Sequence, residues 1–251
     1  MKVLISISVS ALAFLCTSFI HIGGSSEKTP LPIASDISIN KDSSKTSLFE
    51  DIFTTADRIY DSIELDMAGL SRKAFRYAYK GYEYMVSKGW IHHEEVMTIC
   101  DFSQSSSKKR LYVIDLKSLS LVYNTYVAHG KKTGGEFARY FSNKPKSHQS
   151  SLGFYVTGET YYGENGFSMK MRGMEKGYND RAESRNIVMH GSDYATEKFL
   201  NHSNYLGRSY GCPAVPVGEA KEIINSIKEG TCLFIYHPDS KYLNGSKILN
   251  D

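Results

Sequence analysis

The sequence predicts a mainly β domain, of the sandwich or barrel type, preceded by an N-terminal helical section. Between residues 48 and 94, apolar residues recur at intervals of three and four, which is the spacing of one helix face. After about residue 95 the apolar period falls toward two, and glycines separate the alternating stretches. This second pattern is typical of strands joined by turns.

The first 24 residues are expected to be a secretory signal. Met1 and Lys2 precede an apolar run that reaches Ile20, and small residues follow, in the order of charge, apolar stretch and small residues that such signals have. An uncleaved membrane anchor is the alternative, because the run is close to the lower limit for a membrane span. Phe14 and Leu15 do not suit a lipoprotein cleavage site at Cys16. Either way we expect an exported protein, in the periplasm or cell envelope.

The next two segments are predicted to be a flexible linker over residues 25–47 and a helical section over residues 48–94. The linker is rich in Ser, Thr, Lys, Pro and Asp. A first helix is predicted from Leu48, and Ser71 is a plausible N-cap for a second helix that Gly89 ends. The second helix carries a tyrosine stripe, which we interpret as half-buried packing in preference to a sugar-binding face.

The β domain is predicted to span residues 95–240, with a C-terminal tail over 241–251. One helix is predicted inside it, in "GEAKEIINSIKEG", where Gly230 is the stop. Strands are predicted in "RLYVIDL", "LSLVYNTYV", "GFYVTGETYYG", "NIVMH" and "CLFIYH".

The net charge of +3 at pH 7 and the absence of a Lys/Arg cluster argue against a nucleic-acid partner. The cysteines are not closely spaced and lack a nearby histidine pattern, so no metal site is predicted. No Cys-x-x-Cys pair is present, which weakens a thiol redox function. In an exported protein Cys100 and Cys232 are expected to form a disulfide, because both flank strands of the same domain.

The stretch "GRSYGCPAVP" places Cys212 on a tight loop before a helix. Arg208 adds a positive field that would favour a thiolate, and His190, at the end of a predicted strand, is a candidate base. The backbone N–H groups of Tyr210, Gly211 and Cys212 are candidate oxyanion donors. An isolated cysteine is more often a small buried hydrophobe, so these residues alone leave a structural interpretation open.

The combined pattern "HGS…GRSYGCPAVP" resembles the signature of the L,D-transpeptidases, cell-wall enzymes of the YkuD-like fold. The matching residues are His190-Gly191 and Ser209-Tyr210-Gly211-Cys212. The similarity covers about residues 95 to 238 and is nearest to the murein L,D-transpeptidase catalytic domain branch. In two departures, Tyr210 stands where many members have histidine, and Ala214 where many have arginine or asparagine.

The resemblance implies a cysteine acyl-enzyme that acts on peptidoglycan tetrapeptide stems and is open to a carbapenem adduct. Cys212 would be the nucleophile and His190 the base, with Gly191 orienting His190 through its carbonyl. Tyr210, Gly211, Ser209 and Arg208 would serve the oxyanion or the substrate. No cofactor, metal or obligate protein partner is implied. The alternatives are an L,D-carboxypeptidase and a non-catalytic cell-wall-binding scaffold.

Tyr210, His129 and His148 are further residues whose positions relative to the site can be predicted. Tyr210 is expected to face substrate or fix the loop and not to act as base, because the ordinary pKa of tyrosine is about 10. His129 and His148 lie in early loops. Both are expected to be surface histidines in preference to residues lining the cleft.

Overall fold

The architecture is described by a computed structural model that covers residues 41–251, with side chains from residue 50 onward. The predicted signal segment over 1–24 and the predicted linker as far as residue 40 lie outside the described residues. Within residues 41–251, no helix combines the length and the apolar character that a bilayer span requires.

Two helices, α1 (Lys41–Ser62) and α2 (Arg72–Ser87), form the N-terminal section. The first begins ahead of the predicted start at Leu48, because apolar periodicity cannot detect polar helical turns that precede the first apolar residue. At the second, the Ser71 side chain accepts a hydrogen bond from a backbone N–H of the first turn, which confirms the predicted N-cap. The tyrosine stripe packs as expected, with Tyr79 and Tyr82 buried.

One eight-stranded mixed sheet forms the body of the described chain, in the order β3-β2-β1-β8-β4-β5-β6-β7. The β1–β8 and β6–β7 pairs are parallel and the others antiparallel. An isolated bridge between Ala128 and Ala214 joins the chain after β3 to β7, so the sheet nearly closes into a barrel. The strands are β1 (Val96–Asp101), β2 (Leu111–Asp115), β3 (Ser120–Thr125), β4 (Gly153–Gly163), β5 (Gly166–Gly173), β6 (Val188–Ser192), β7 (Ala214–Pro216) and β8 (Cys232–Tyr236).

Four further helices follow β6, and the last two lie in the predicted C-terminal tail. Buried Glu175 holds this tail against the sheet, because its carboxylate accepts hydrogen bonds from the Tyr242 and Ser246 hydroxyls and from the Phe154 N–H. The helices are α3 (Glu197–Leu200), α4 (Ala220–Ile227), α5 (Ser240–Gly245) and α6 (Lys247–Asn250).

The predicted disulfide between Cys100 and Cys232 is wrong, since both are free thiols. On the parallel β1–β8 pair, Cys232 is opposite Met97 and Cys100 is opposite Ile235. The two cysteines are therefore about 10 Å apart along the strands and point to opposite faces of the sheet. A disulfide needs Cα atoms within about 7 Å and converging side chains.

Candidate active site

The parallel pairing of β6 with β7 brings the predicted histidine and cysteine together. His190 is opposite Ala214 in the register, and Cys212 lies two residues before Ala214, next to the start of β6. The Val188 N–H donates to the Cys212 Sγ at 3.5 Å, and the same sulfur lies 3.6 Å from the Asn186 carbonyl oxygen. The strand order thus builds a site that the sequence spacing could only indicate.

The loop that carries the thiol, here called the cysteine loop (residues 207–213), is held together by one buried hydroxyl. The Ser209 Oγ accepts from the Gly211 N–H at 3.0 Å and donates to the Cys212 carbonyl at 2.6 Å. The Gly211 N–H is therefore already engaged. Tyr210 and Cys212 retain the N–H groups that could face an oxyanion.

The cysteine loop is also tied to the segment that follows β3. The Ser209 N–H donates to the His129 carbonyl at 3.0 Å, and the Lys131 N–H donates to the Ser209 carbonyl at 2.6 Å. Ser209 was expected to serve the oxyanion or the substrate. In the structure, both its hydroxyl and its main-chain groups form hydrogen bonds with backbone atoms of the protein.

Gly211 occupies a position that favours glycine. Its φ is +129°, and a Cβ there would lie 2.9 Å from both the Gln149 carbonyl oxygen and the Ile187 Cδ1. The Ser150 Oγ donates to the Gly211 carbonyl and accepts from the Gly130 N–H, each at 3.0 Å. Sequence reasoning missed Ser150, which belongs to neither part of the "HGS…GRSYGCPAVP" pattern.

His190 is buried, and its Nδ1 lies 2.9 Å from the Gly191 carbonyl oxygen. A carbonyl can only accept, so Nδ1 carries the proton and Nε2 is the acceptor nitrogen of the neutral ring. Burial lowers the pKa of His190, and the Gly191 carbonyl partly opposes that shift. The Gly191 carbonyl therefore fixes which ring nitrogen of His190 carries the proton.

Burial raises the pKa of the Cys212 thiol, while the Val188 N–H and the Arg185 charge act in the opposite direction. The expected contribution of Arg208 is not found. Its guanidinium donates to the carbonyls of Lys131 at 3.4 Å and Gly134 at 3.0 Å. The cation that acts on the thiol is Arg185, which the sequence analysis did not single out because it belongs to no motif.

Two aromatic rings form the exposed rim beside the cysteine loop. Tyr210 is 68% exposed, and its ring contacts that of His148 with centroids 4.6 Å apart and planes tilted by 53°. This position is compatible with contact to substrate, as predicted for Tyr210.

His129 is buried, so its predicted surface position is wrong. Its Nδ1 lies 2.8 Å from the Nη2 of Arg110, which is also buried. Because a guanidinium can only donate, Nδ1 is the acceptor. Burial lowers the pKa of His129 to about 3, so the ring is neutral. The backbone carbonyl of the same residue accepts the Ser209 N–H.

A cavity of about 230 Å³ lies next to the backbone that contacts the sulfur. Asn186 and Val188, the two backbone partners of Cys212, contribute to its wall, and Lys170 and Glu183 add opposite charges at its edge. The cavity is a candidate position for part of a peptide that carries both charges. Its lining is completed by Tyr161, Met171 and Ile187.

Comparison with protein families gives a match to the L,D-transpeptidase catalytic domain over residues 66–236. Comparison with curated proteins gives no match.

Comparison with solved structures returns several L,D-transpeptidases at low identity. One, from Mycobacterium smegmatis, is 11% identical with a TM-score of 0.35, and the alignment covers 57% of this chain and 59% of that one. L,D-transpeptidase 3 from Mycobacterium tuberculosis, in complex with a faropenem-derived adduct, has the same identity and TM-score, with coverage of 57% and 60%. An L,D-transpeptidase from Stackebrandtia nassauensis is 10% identical with a TM-score of 0.35, and coverage is 66% and 67%.

Proposed function

Because the chain belongs to the L,D-transpeptidase catalytic domain family, we propose that it is a peptidoglycan L,D-transpeptidase that works through an acyl-enzyme on Cys212. The observation that carries the proposal is the β6–β7 pairing. It brings the loop of Cys212 next to the strand that carries buried His190, and the acceptor nitrogen of that histidine is fixed by the Gly191 carbonyl.

In the first half of the reaction, Cys212 attacks the L,D peptide bond of a tetrapeptide stem, after the L-centre of its diamino acid. His190 Nε2 takes the thiol proton as the sulfur forms a bond to the carbonyl carbon. The resulting imidazolium returns this proton to the departing D-amino acid as the carbon–nitrogen bond breaks. The product is a thioester on Cys212.

In the second half, an amine on a neighbouring stem attacks the thioester and the acyl group leaves the sulfur. His190 accepts a proton from the amine and returns one to the Cys212 thiolate. The new amide is a cross-link between stems. When a free D-amino acid is the acceptor, the outcome is exchange.

The negative charge of each tetrahedral intermediate is held by backbone N–H groups of the cysteine loop. Tyr210 and Cys212 are the donors we assign, because Ser209 already engages the Gly211 N–H. Arg208 points to backbone carbonyls and is assigned no part in this step.

The substrate and the location are proposed with the reaction. Peptidoglycan stems are extracytoplasmic, in agreement with the predicted signal over residues 1–24, so we place the protein in the periplasm or cell envelope. A carbapenem, whose strained amide resembles the reactive bond, is expected to acylate the same thiol.

The proposal is tested by incubating purified protein with tetrapeptide muropeptides, with and without a free D-amino acid, followed by mass analysis of the products. Cross-linked or exchanged stems are expected from wild-type protein and from a Cys100→Ala control, and from neither Cys212→Ala nor Cys212→Ser. Tripeptide products alone would make the protein an L,D-carboxypeptidase. Activity retained by Cys212→Ala would refute the acyl-enzyme and favour the scaffold alternative.

A further inference from the structure

Arg185 is a half-buried cation whose hydrogen bonds all go to neutral acceptors. One guanidinium nitrogen donates to the Ser142 carbonyl at 2.8 Å, and the other donates to the Gln149 carbonyl at 2.6 Å. The hydroxyls of Ser147 and Ser151 accept as well. Among the described residues, no carboxylate lies within ion-pair distance of Arg185.

The chain directly after Arg185 wraps the reactive sulfur. Asn186, the next residue, places its carbonyl oxygen 3.6 Å from the Cys212 Sγ, and the Val188 N–H donates to the same atom. A guanidinium at this position, without a carboxylate, lacks a counter-ion for its charge. A thiolate on Cys212 would supply one.

Apart from Cys212, the only titratable group that shifts the pKa of Arg185 among the described residues is Tyr155, and it cannot balance the charge. Tyr155 is the second acidic group that Arg185 affects, and burial raises its pKa, so it stays neutral. Burial also raises the pKa of Tyr194, in the segment after β6, and the charge of Cys212 adds to that shift. His190, on β6, carries no negative charge in any protonation state that it adopts here.

We propose that Arg185 is a positioning residue that stabilises the Cys212 thiolate and fixes the 142–151 loop against the cysteine loop. The inference rests on the proposed role of Cys212 as nucleophile. The loop that Arg185 holds carries His148, whose ring contacts that of Tyr210. The same side chain would therefore affect both the ionisation of the sulfur and the position of the exposed Tyr210 ring.

The test is the pH dependence of Cys212 alkylation by iodoacetamide in the native protein, which requires no turnover. Arg185→Gln removes the cation, so the midpoint is expected to rise by about one pH unit, a roughly tenfold loss of thiolate at any pH below the midpoint. Arg185→Lys keeps the charge, so its midpoint is expected to stay near that of wild type. Lysine cannot make the four hydrogen bonds, so this variant separates the effect of the charge from that of the bonds. Arg181→Gln removes an exposed cation from the same segment and should leave the midpoint unchanged.

Equal midpoints for wild-type protein and Arg185→Gln would overturn the proposal, as would equal rises in the Lys and Gln variants. A second arm needs no substitution and applies even if the Gln variant does not fold. Raising the salt from about 10 mM to about 1 M should raise the wild-type midpoint, because screening weakens the attraction between cation and thiolate. A midpoint that does not respond to salt would contradict the role of charge. The substitution and salt experiments measure alkylation and do not depend on turnover. A failed muropeptide assay would therefore count against the proposed function and not against this role of Arg185.

Discussion

Burial favours a neutral thiol at Cys212 and a neutral imidazole at His190 over a preformed ion pair. Burial disfavours the charged form of each, so it raises the pKa of the thiol and lowers that of the ring. The sulfur therefore depends on transfer of its proton to His190 when substrate is present. The expectation of a thiol pKa lowered by Arg208 does not hold in this site.

The two shifts predict the pH profile of the reaction. His190 must be neutral to act as base, and a lowered pKa keeps it neutral at acidic pH, so kcat/KM should fall only below about pH 6.5. Alkylation of Cys212 requires the thiolate, so its rate should still be rising above about pH 8.5. Stopped assays of turnover and of iodoacetamide labelling across pH measure both limbs. A thiol midpoint near neutral pH, or an acid limb well above that of free imidazole, would be inconsistent with the burial of this pair.

Tyr210 contributes its ring, and its hydroxyl is expected to matter little. Tyr210→Phe keeps the ring contact with His148 and should retain most of the activity, whereas Tyr210→Ala removes that ring and should weaken substrate binding. His190→Gln, which removes the base, should lose nearly all activity. The comparison of kcat and KM among the three variants measures these effects. Equal losses in the Phe and Gln variants would assign the hydroxyl a chemical role.

The conformation of the cysteine loop is fixed by hydrogen bonds within the loop and to other parts of the chain. Ser209 closes it internally, and the His129 and Gly211 carbonyls attach it to neighbouring segments. Its geometry therefore depends on parts of the chain far away in sequence. Any change that shifts the loop should alter reactivity at Cys212.

Gly211→Ala tests this dependence. A Cβ at a φ of +129° is strained and would approach both Gln149 and Ile187 at 2.9 Å, so the loop must shift. We expect at least a tenfold loss of activity, because misplacement of a reacting atom by about 1 Å can cost about 100-fold. Gly218→Ala is the matched control, since a Cβ there meets nothing within 4 Å. Turnover and thermal unfolding are measured for both variants, and wild-type turnover in the Gly211 variant would count against the anchored loop.

Sequence patterns predicted helices and strands correctly where local residues determine the secondary structure. Strand β4 spans Gly153–Gly163, as predicted, because glycines bound an alternating stretch. The prediction did not include three strands. These are β1, β5, in which lysine and arginine alternate with buried methionines, and β7, which has only three residues. The candidate nucleophile Cys212 and the candidate base His190 could be named from the sequence because they belong to a motif. Arg185 and Ser150 act through contacts that only the folded chain creates.

The disulfide was mispredicted for a related reason. Cysteine count and export make a disulfide plausible, but register decides whether two thiols can meet. The three described cysteines are free thiols, and of these Cys212 alone is partly exposed. Burial raises the pKa of Cys100 to about 12 and raises that of Cys232 as well.

Thiol labelling of the intact fold should therefore be selective. At about pH 8, iodoacetamide should modify Cys212 and leave the buried thiols Cys100 and Cys232 intact, because the thiolate is the nucleophile. Denaturation without reductant should expose all three. Peptide mapping by mass spectrometry identifies the labelled sites. If Cys100 and Cys232 do not react with iodoacetamide in the denatured, unreduced protein, the disulfide prediction would be supported after all.

The acyl-enzyme on Cys212 is measured by intact-protein mass spectrometry after brief exposure to a carbapenem and acid quench. We expect one adduct on the wild-type protein, mapped by digestion to the peptide that holds Cys212, and none on Cys212→Ala. Parallel labelling with iodoacetamide establishes that the thiol is accessible in the same preparation. Absence of an adduct while Cys212 still alkylates, or an adduct that persists in Cys212→Ala, would contradict the catalytic assignment.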